Sequence, residues 1–385
     1  IPMLPEVLSN QVCSLRPEEE KLTFSAVFTM NDKAEVTNQW FGKTVINSDR
    51  RFTYEEAQEI IETGEGEYHE EISVLHAIAK ILRKKRFGKG AINFHSEEVK
   101  FKLDETGKPI ETYIKEQKEA NFLIEEFMLL ANKKVAEFIG KVSAGKTPRT
   151  FVYRVHDEPN PEKLNTFVQF LKKLGYTLNV SSRQSLATSY NSLFEKIHGK
   201  GEENMIETIA VRTMAKAEYS TENIGHYGLA FPFYSHFTSP IRRYPDLMTH
   251  RLLFQYLNGG KSADKNVYEE MCKHSSEMER NAQKAERDSI KYKQVEFLLD
   301  KKGKVFDGVI SGVSKWGIFV QLNISKSEGL IRFSDLKDDY YYLDEDNYRI
   351  IGRQYGNAYR LGDKVSVLVK DVDMEKRQLD LKILD

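Results

Sequence analysis

HYGLAFPFYSHFTSPIRRYPDLMTHRLL, from His226 to Leu253, is the stretch on which the reading of this chain turns. It holds three histidines, three tyrosines, a Thr238-Ser239-Pro240 corner, the adjacent Arg242 and Arg243, and Asp246. Neither a packed core nor a solvated loop calls for that mixture of rings, charges and hydrogen-bonding groups. Ser239-Pro240 is a helix-start signal, with serine as the cap and proline at the first helical position, where its missing N–H costs nothing. Arg242 and Arg243 then fall in the first turn. There the free N–H groups and the helix dipole favour an anion, and a guanidinium fork suits phosphate. Pro245 cannot donate to the carbonyl four residues earlier, so a kinked first turn and a helix beginning nearer Tyr244 both stand open. Two roles for the arginines stand open as well: a grip on phosphate, or a structural ion pair with Asp246. His226 and His250 invite an acid–base or metal reading, against the commoner state of a histidine satisfied among aromatic side chains.

Working outward, the 385 residues leave room for two or three domains. The composition, 40% hydrophobic and 30% charged, is that of an ordinary soluble globular protein. Fifty-seven basic against 58 acidic residues give a net charge of −1, so any nucleic-acid binding has to come from local patches. Cys13 and Cys272 stand far apart, which excludes a disulfide framework, argues against a zinc site and places the chain in a reducing cytoplasm. No apolar run approaches the roughly 18 residues of a membrane span, and the N-terminus does not read as a signal peptide. The chain opens Ile1-Pro2-Met3, without an initiator methionine, and is expected to belong to a longer polypeptide.

Periodicity orders the rest. TFSAVFTM (Thr23 to Met30) reads as a strand and FTYEEAQEIIETGEG (Phe52 to Gly66) as a helix stopped by glycines. EISVLHAIAKILRKKRFGKG is a helix with a basic last turn, and GAINFHSEEVKFKL follows as a short strand. EANFLIEEFMLLANKKVAEFIG is the clearest helix, with Ile124, Phe127, Met128, Ala131, Val135 and Phe138 on one face. Further helices are expected from near Pro161, over Leu186–His198 and Glu207–Lys216, and as a long charged helix over Asn266–Leu299. At Lys301-Lys302-Gly303 the texture changes to short β-type runs, which predicts a small barrel and a domain boundary near residue 300. Asp338-Asp339 and Asp344-Glu345-Asp346 read as solvated loops rather than as a metal cluster.

The opening stretch resembles the signature of the RNase II/RNase R family of 3′→5′ exoribonucleases, in its RNB catalytic domain. The likeness rests on His226-Tyr227-Gly228, Tyr234, Thr238-Ser239-Pro240, Arg242, Tyr244, Asp246 and His250. IPMLPEVLSNQVCSL, LIEEFMLLAN, RTMAKAEYSTENIGHYGLA and KAERD resemble the same family, in the same order along the chain. After residue 300, FDGVISGV, WGIFVQL, EGLIRFSDL and YRLGDKVSVLVKDVD resemble an OB-fold RNA-binding domain of the ribosomal protein S1 type. The implied fold is a mixed α/β RNB-type domain over 1–300, lacking its N-terminal segment, and a five-stranded OB-fold β-barrel over 301–385.

The resemblance also implies a site. Arg242 matches the catalytic arginine that holds phosphate near the scissile bond. Tyr54 matches the tyrosine at the 3′-terminal ribose, where the 2′-hydroxyl tells RNA from DNA. Phe94 matches the aromatic against which terminal bases stack, Glu125 the carboxylate of ribose recognition, and Glu286 a contact in the RNA channel. Glu126 is then an ordinary helix residue. In the S1-type domain Trp316 and Phe319 would stand on the RNA-facing strands, where rings stack bases without reading them, and Arg332 and Arg377 would add cationic contacts. The class often has histidine at the position of Arg332. Trp316 or Phe319 filling the barrel core is the structural alternative.

The family cleaves with two magnesium ions held by aspartates ahead of the IPMLP block, so no metal ligand is expected within this chain. The implied activity is processive hydrolysis of single-stranded RNA to nucleoside 5′-monophosphates, by a cytoplasmic monomer without a membrane partner. The blocks lean to the RNase R branch, which also digests structured RNA. The competing reading is an RNA-binding module without hydrolytic activity.

Overall fold

In the computed structural model, residues 3–93, 98–142 and 147–384 are described; Phe94 lies outside them. β1 (Glu20–Met30) and β2 (Val36–Asn47) pair antiparallel into a ribbon. Helices α1 (Tyr54–Thr63) and α2 (His69–Gly88) follow, then a hairpin of β3 (Glu98–Leu103) and β4 (Pro109–Lys115), and helix α3 (Glu119–Gly140). β5 (Tyr153–Val155) leads into α4 (Pro161–Lys173), α5 (Arg183–Ile197) and α6 (Glu203–Thr213), and β6 (Glu218–Ser220) returns to pair with β5. α7 (Tyr244–Leu257) and α8 (Lys265–Leu298) precede the β-rich part. There β7 (Val305–Ser314), β8 (Gly317–Leu322) and β9 (Glu328–Arg332) form a meander. A small sheet of β10 (Tyr341–Asp344), β11 (Arg349–Gly352) and β12 (Ala358–Arg360) comes next, before β13 (Lys364–Asp373) and β14 (Gln378–Ile383).

The chain divides into two compact units, each discontinuous: Ile1–Ile92, Gln117–Glu158 and Ala215–Glu279, and then Asn93–Glu116, Pro159–Met214 and Arg280–Asp385. In the first, the alternation of β1 sends Phe24, Ala26 and Phe28 to one face of the ribbon. They pack with Phe41 against Val135, Ala136 and Ile139 of α3 and Met248, Leu252 and Leu253 of α7. Cys272 is buried in this core, and burial pushes its thiol up to about 12, which makes it a packing residue and no nucleophile. The buried face of α3 is rotated from the one its periodicity predicts. Leu123, Leu130, Asn132, Val135, Ala136 and Ile139 are inside, while Ile124 and Phe138 are exposed.

Local signals explain the helix ends. Thr53 and Glu56 form a reciprocal capping box at α1, and Gly64, at φ +72°, ends it. Asn160 caps α4 with Pro161 at its first position. Ser182 caps α5, which therefore starts ahead of the expected Leu186. α6 is likewise earlier than Glu207–Lys216.

In the second unit the barrel closes in the order β13-β14-β9-β8-β7, with β14 parallel to β9 and the other pairs antiparallel. Ile318, Val320 and Leu322 of β8 alternate into a dry core with Ile310, Ile331, Val367, Val369 and Leu381. The described residues thus form a mixed α/β body and a closed five-stranded barrel. None of their helices is long and apolar enough to cross a membrane.

Gly317 opens β8 at φ +144°, and a Cβ there would run into the carbonyl of Ile331 on β9. Gly317→Ala is expected to destabilise the barrel by roughly 2–4 kcal/mol, read as a lowered denaturant midpoint for the chain.

Candidate functional site

His226 and Phe231 exchange backbone hydrogen bonds across a tight reversal (2.8 and 3.3 Å), and Tyr227 N–H donates to the His156 carbonyl (2.8 Å). The next segment ends in a turn in which the Ser239 carbonyl accepts the N–H groups of Arg242 (3.3 Å) and Arg243 (3.0 Å). α7 begins at Tyr244, with Pro245 inside its first turn, so of the two arrangements left open by Pro245 the helix takes the start nearer Tyr244. This start has a local cause. Pro245 leaves the Ile241 carbonyl without its helical donor, and the fully buried Asp246 reaches back across the gap. Its Oδ1 accepts the Ser239 N–H (2.7 Å) and the Arg243 Nη2 (2.8 Å). The ion pair with Asp246 therefore belongs to Arg243. Arg242 is exposed in the turn, and its side chain has no hydrogen-bond or ion-pair partner among the described residues.

The histidines of this stretch are built into its frame. His250 Nε2 stands 2.7 Å from the Phe237 carbonyl, and its ring packs 4.3 Å from that of Phe237. Burial lowers its basicity against the opposing pull of Phe237 and Asp246. His236 Nδ1 lies 2.8 Å from the Tyr219 hydroxyl. Burial, with Arg243 and Arg154 next, pushes its imidazole down to about 2, so it stays neutral throughout the working range.

A cavity of about 290 Å³ in the first unit collects side chains from four places in the chain. Tyr54, Asn121, Glu125, Asn132, Tyr234 and Arg243 are among those lining it. The Thr53 cap sets Tyr54 at the first position of α1, where it is 47% exposed. Glu125 and Asn132 are two turns apart on α3 and so share a face. Asn132 is buried and both its polar atoms are engaged: its Nδ2 donates to the Tyr234 hydroxyl (3.1 Å) and its Oδ1 accepts the Phe237 N–H (2.9 Å). Burial raises the Tyr234 hydroxyl, which stays a neutral donor and acceptor at the wall. Asn132 and Tyr234 as lining groups are not among the site candidates read from sequence, and of the two arginines read there as a phosphate grip or a partner of Asp246, Arg243 takes the pair. For Asn132 the signal existed, an amide placed among Leu129, Val135 and Ala136 on a core-facing stripe.

Tyr54 and Glu125 thus come together, and Arg243 rather than Arg242 borders their cavity. Glu126 is no ordinary helix residue. It is 3% exposed and paired with the buried Arg86 (2.5 Å to Nη2), because its position on α3 points inward where Glu125 points to the cavity. Arg243 Nε, Thr238 Oγ1 and Asp246 Oδ2 are buried beside this region without hydrogen-bond partners among the described residues, so the corner retains unused polar capacity.

The remaining candidates lie in the second unit. Glu286 is exposed on α8. Trp316 is 66% exposed and sits in the two-residue turn between β7 and β8, so it stands off the strands on which it was expected. Phe319 is on β8 but turned out of the barrel core, over Gly312, since its neighbours Ile318 and Val320 take the inner face. Neither ring fills the core. Arg332 ends β9 with Nη2 3.3 Å from Asp380. Arg377 holds a left-handed φ of +53° in the β13–β14 turn, 3.4 Å from Asp288. Both pairs are solvent-exposed and weak, so either arginine can be drawn to a phosphate. The Asp339 carboxylate accepts the N–H groups of Tyr340, Gln354 and Tyr355, and Asp344 binds Asn347 and Arg349. These acidic residues therefore pin turns. No group of three or more His, Cys, Asp or Glu among the described residues could hold a metal ion, so these residues do not fit the magnesium that the family resemblance implies.

Two stability outcomes test this frame. Asp246→Ala removes one partner of a buried pair and is expected to cost roughly 3–5 kcal/mol in denaturant unfolding. The folded-state pKa values of His236 and His250 lie below the unfolded value of about 6.5. Their contribution is complete above that value and is lost as acid protonates the unfolded chain first. Stability should therefore fall below pH ~6.5 by on the order of 1 kcal/mol per pH unit for each histidine that remains neutral, and His236→Gln should flatten the slope.

Comparison with known proteins matches both parts of the chain. The RNB domain model covers residues 1–259 and the S1 RNA binding domain model residues 299–384. Ribonuclease R of Escherichia coli is 37% identical over 403 aligned positions, which take in all of this chain and 49% of that protein. Ribonuclease R of Aquifex aeolicus is 35% identical over all of this chain and 55% of its own length. The chain thus spans about half the length of the curated relatives it matches. Among solved structures, Mycoplasma genitalium RNase R, in complex with ribose-methylated single-stranded RNA, superposes with a TM-score of 0.89 at 25% identity, over all of this chain and 61% of that one. With the family model matching the greater part of its length, this chain belongs to the RNB domain family and carries an S1 RNA binding domain behind it.

Proposed function

We propose that this chain is the substrate-holding part of a 3′→5′ exoribonuclease that acts on single-stranded RNA and releases nucleoside 5′-monophosphates processively. The observation that carries the reading is the meeting of Tyr54 and Glu125, remote in sequence, in one cavity bordered by the arginine-bearing turn. A tyrosine hydroxyl and a carboxylate lining one cavity suit the 2′- and 3′-hydroxyls of a terminal ribose, which donate and accept at once. Arg242, exposed in the turn and without a side-chain partner among the described residues, is placed to fork onto a phosphate oxygen and to stabilise charge developing at the phosphodiester. Phe94 is proposed to stack the terminal bases, and Glu286 to border the strand. Trp316 and Phe319 offer outward rings, with Arg332 and Arg377 as cations, for strand binding on the barrel. Mycoplasma genitalium RNase R was solved in complex with ribose-methylated single-stranded RNA, which supports that substrate class. Magnesium, held by ligands other than the described residues, is the proposed metal, and the proposed setting is a cytoplasmic monomer. The domains are proposed to divide near residue 300, with the RNase R branch favoured.

A second reading, RNA binding without hydrolysis, is favoured by one observation: no group among the described residues fits a metal ion. Incubating 5′-labelled single-stranded RNA with the chain and magnesium separates the two. Stepwise shortening from the 3′ end would eliminate the binding-only reading. A gel shift without shortening would support it for this polypeptide. In the complete enzyme, Arg242→Ala should lower kcat by about 10²–10³-fold with little change in RNA affinity, and unchanged turnover would remove Arg242 from the mechanism.

A further inference from the structure

We propose that Arg86 is a positioning residue that sets the ribose specificity of the cavity by holding Glu125 in place. The inference rests on the reading of Glu125 as a ribose ligand and extends it to a residue that does not line the cavity. Arg86 lies in the last turn of α2 and is 6% exposed. Its Nε (3.1 Å) and Nη2 (2.5 Å) both donate to Glu126 Oε1, and the same Nη2 donates to Glu125 Oε1 (3.0 Å). Adjacent residues on a helix point about 100° apart, so two neighbouring glutamates cannot enter one site together. Here the inner one, Glu126, anchors the guanidinium, and the guanidinium in turn reaches the outer one.

The consequence is a division of labour within Glu125. Its side chain is 39% exposed, and left alone a glutamate at that exposure samples many rotamers. With Oε1 held by Arg86, the carboxylate is fixed and Oε2 is the oxygen left to accept a ribose hydroxyl. Arg83, one turn earlier on α2, stands 4.0 Å from Glu126 Oε1 and packs over the Phe122 ring, so the anchor is braced from a second side. A lysine in place of Arg86 has one ammonium and no planar fork, and it cannot reproduce donors directed at both carboxylates.

The test is binding, with EDTA present to prevent hydrolysis, of a short 5′-fluorescein oligoadenylate ending in ribose or in 2′-deoxyribose. The ratio of the two affinities reports ribose specificity, and the affinity for the deoxy-ended probe reports general integrity. Arg86→Met alone would strand the buried Glu126 charge, so the variant of choice is the double Arg86→Met/Glu126→Gln, which neutralises both partners. Glu125→Gln is expected to lower the ribose preference by about tenfold, as loss of a charge-assisted hydrogen bond does. The double variant should lower it to the same extent with the deoxy affinity unchanged, and Arg86→Lys should lower it in part. If Glu125→Gln abolishes the preference while the folded double variant keeps it, Arg86 does not position Glu125. If the double variant does not fold, full preference in Arg86→Lys overturns the proposal in the same way. If Glu125→Gln itself leaves the preference intact, the ribose reading of Glu125 is wrong and the role given to Arg86 falls with it.

Discussion

The burial of the Asp246 carboxylate is the constraint on which the first unit is organised. A charged group with no exposure has to be met by donors, and Asp246 takes them from Ser239 N–H and the Arg243 guanidinium. That demand draws the Thr238–Arg243 turn onto the first turn of α7 and spends Arg243 on structure. It also leaves Arg242, one residue away, projecting without a partner among the described residues. The two adjacent arginines thus have different surroundings: Arg243 is paired to the buried Asp246 and Arg242 faces solvent.

Asn132 makes the complementary connection from α3. Its amide holds the Tyr234 hydroxyl and the Phe237 backbone, so the wall of the cavity and the strand-like segment leading to the turn are set by one side chain. Both groups are buried, where an unmet hydrogen bond costs on the order of 1–3 kcal/mol, and this makes the geometry stiff. Stiffness matters to the proposed chemistry, since recognition of a terminal ribose needs the tyrosine and carboxylate held in register before substrate arrives.

The barrel relies on a different kind of order. Its core is apolar throughout, and its outward rings and arginines stand on a frame that does not depend on them. Trp316 in a turn and Phe319 on a strand offer stacking surfaces without cost to the barrel, which suits a strand bound by its bases' faces rather than by their identity. Arg332 with Asp380 and Arg377 with Asp288 form weak surface pairs, which in the proposed strand-binding role would yield to phosphate.

From sequence alone, local signals determined much of this protein. The glycines that stop α1, the helix start near Pro161 and the short β-type runs after residue 300 act within a few residues and are legible there. The ordered motif blocks carried the family and the barrel. What only the tertiary structure decided is how neighbouring residues of the same type divide their roles. Arg242 and Arg243 read alike, as do Glu125 and Glu126, until the turn before α7 and the contact between α2 and α3 are in place. Asp246 then claims Arg243 and Arg86 claims Glu126. The same holds for the rotated face of α3 and for the choice, between the two starts that Pro245 left open for α7, of the one at Tyr244, where a buried carboxylate closes the gap. Burial and charge pairing are properties of the folded assembly of side chains, and they outweigh a local preference of about 1 kcal/mol.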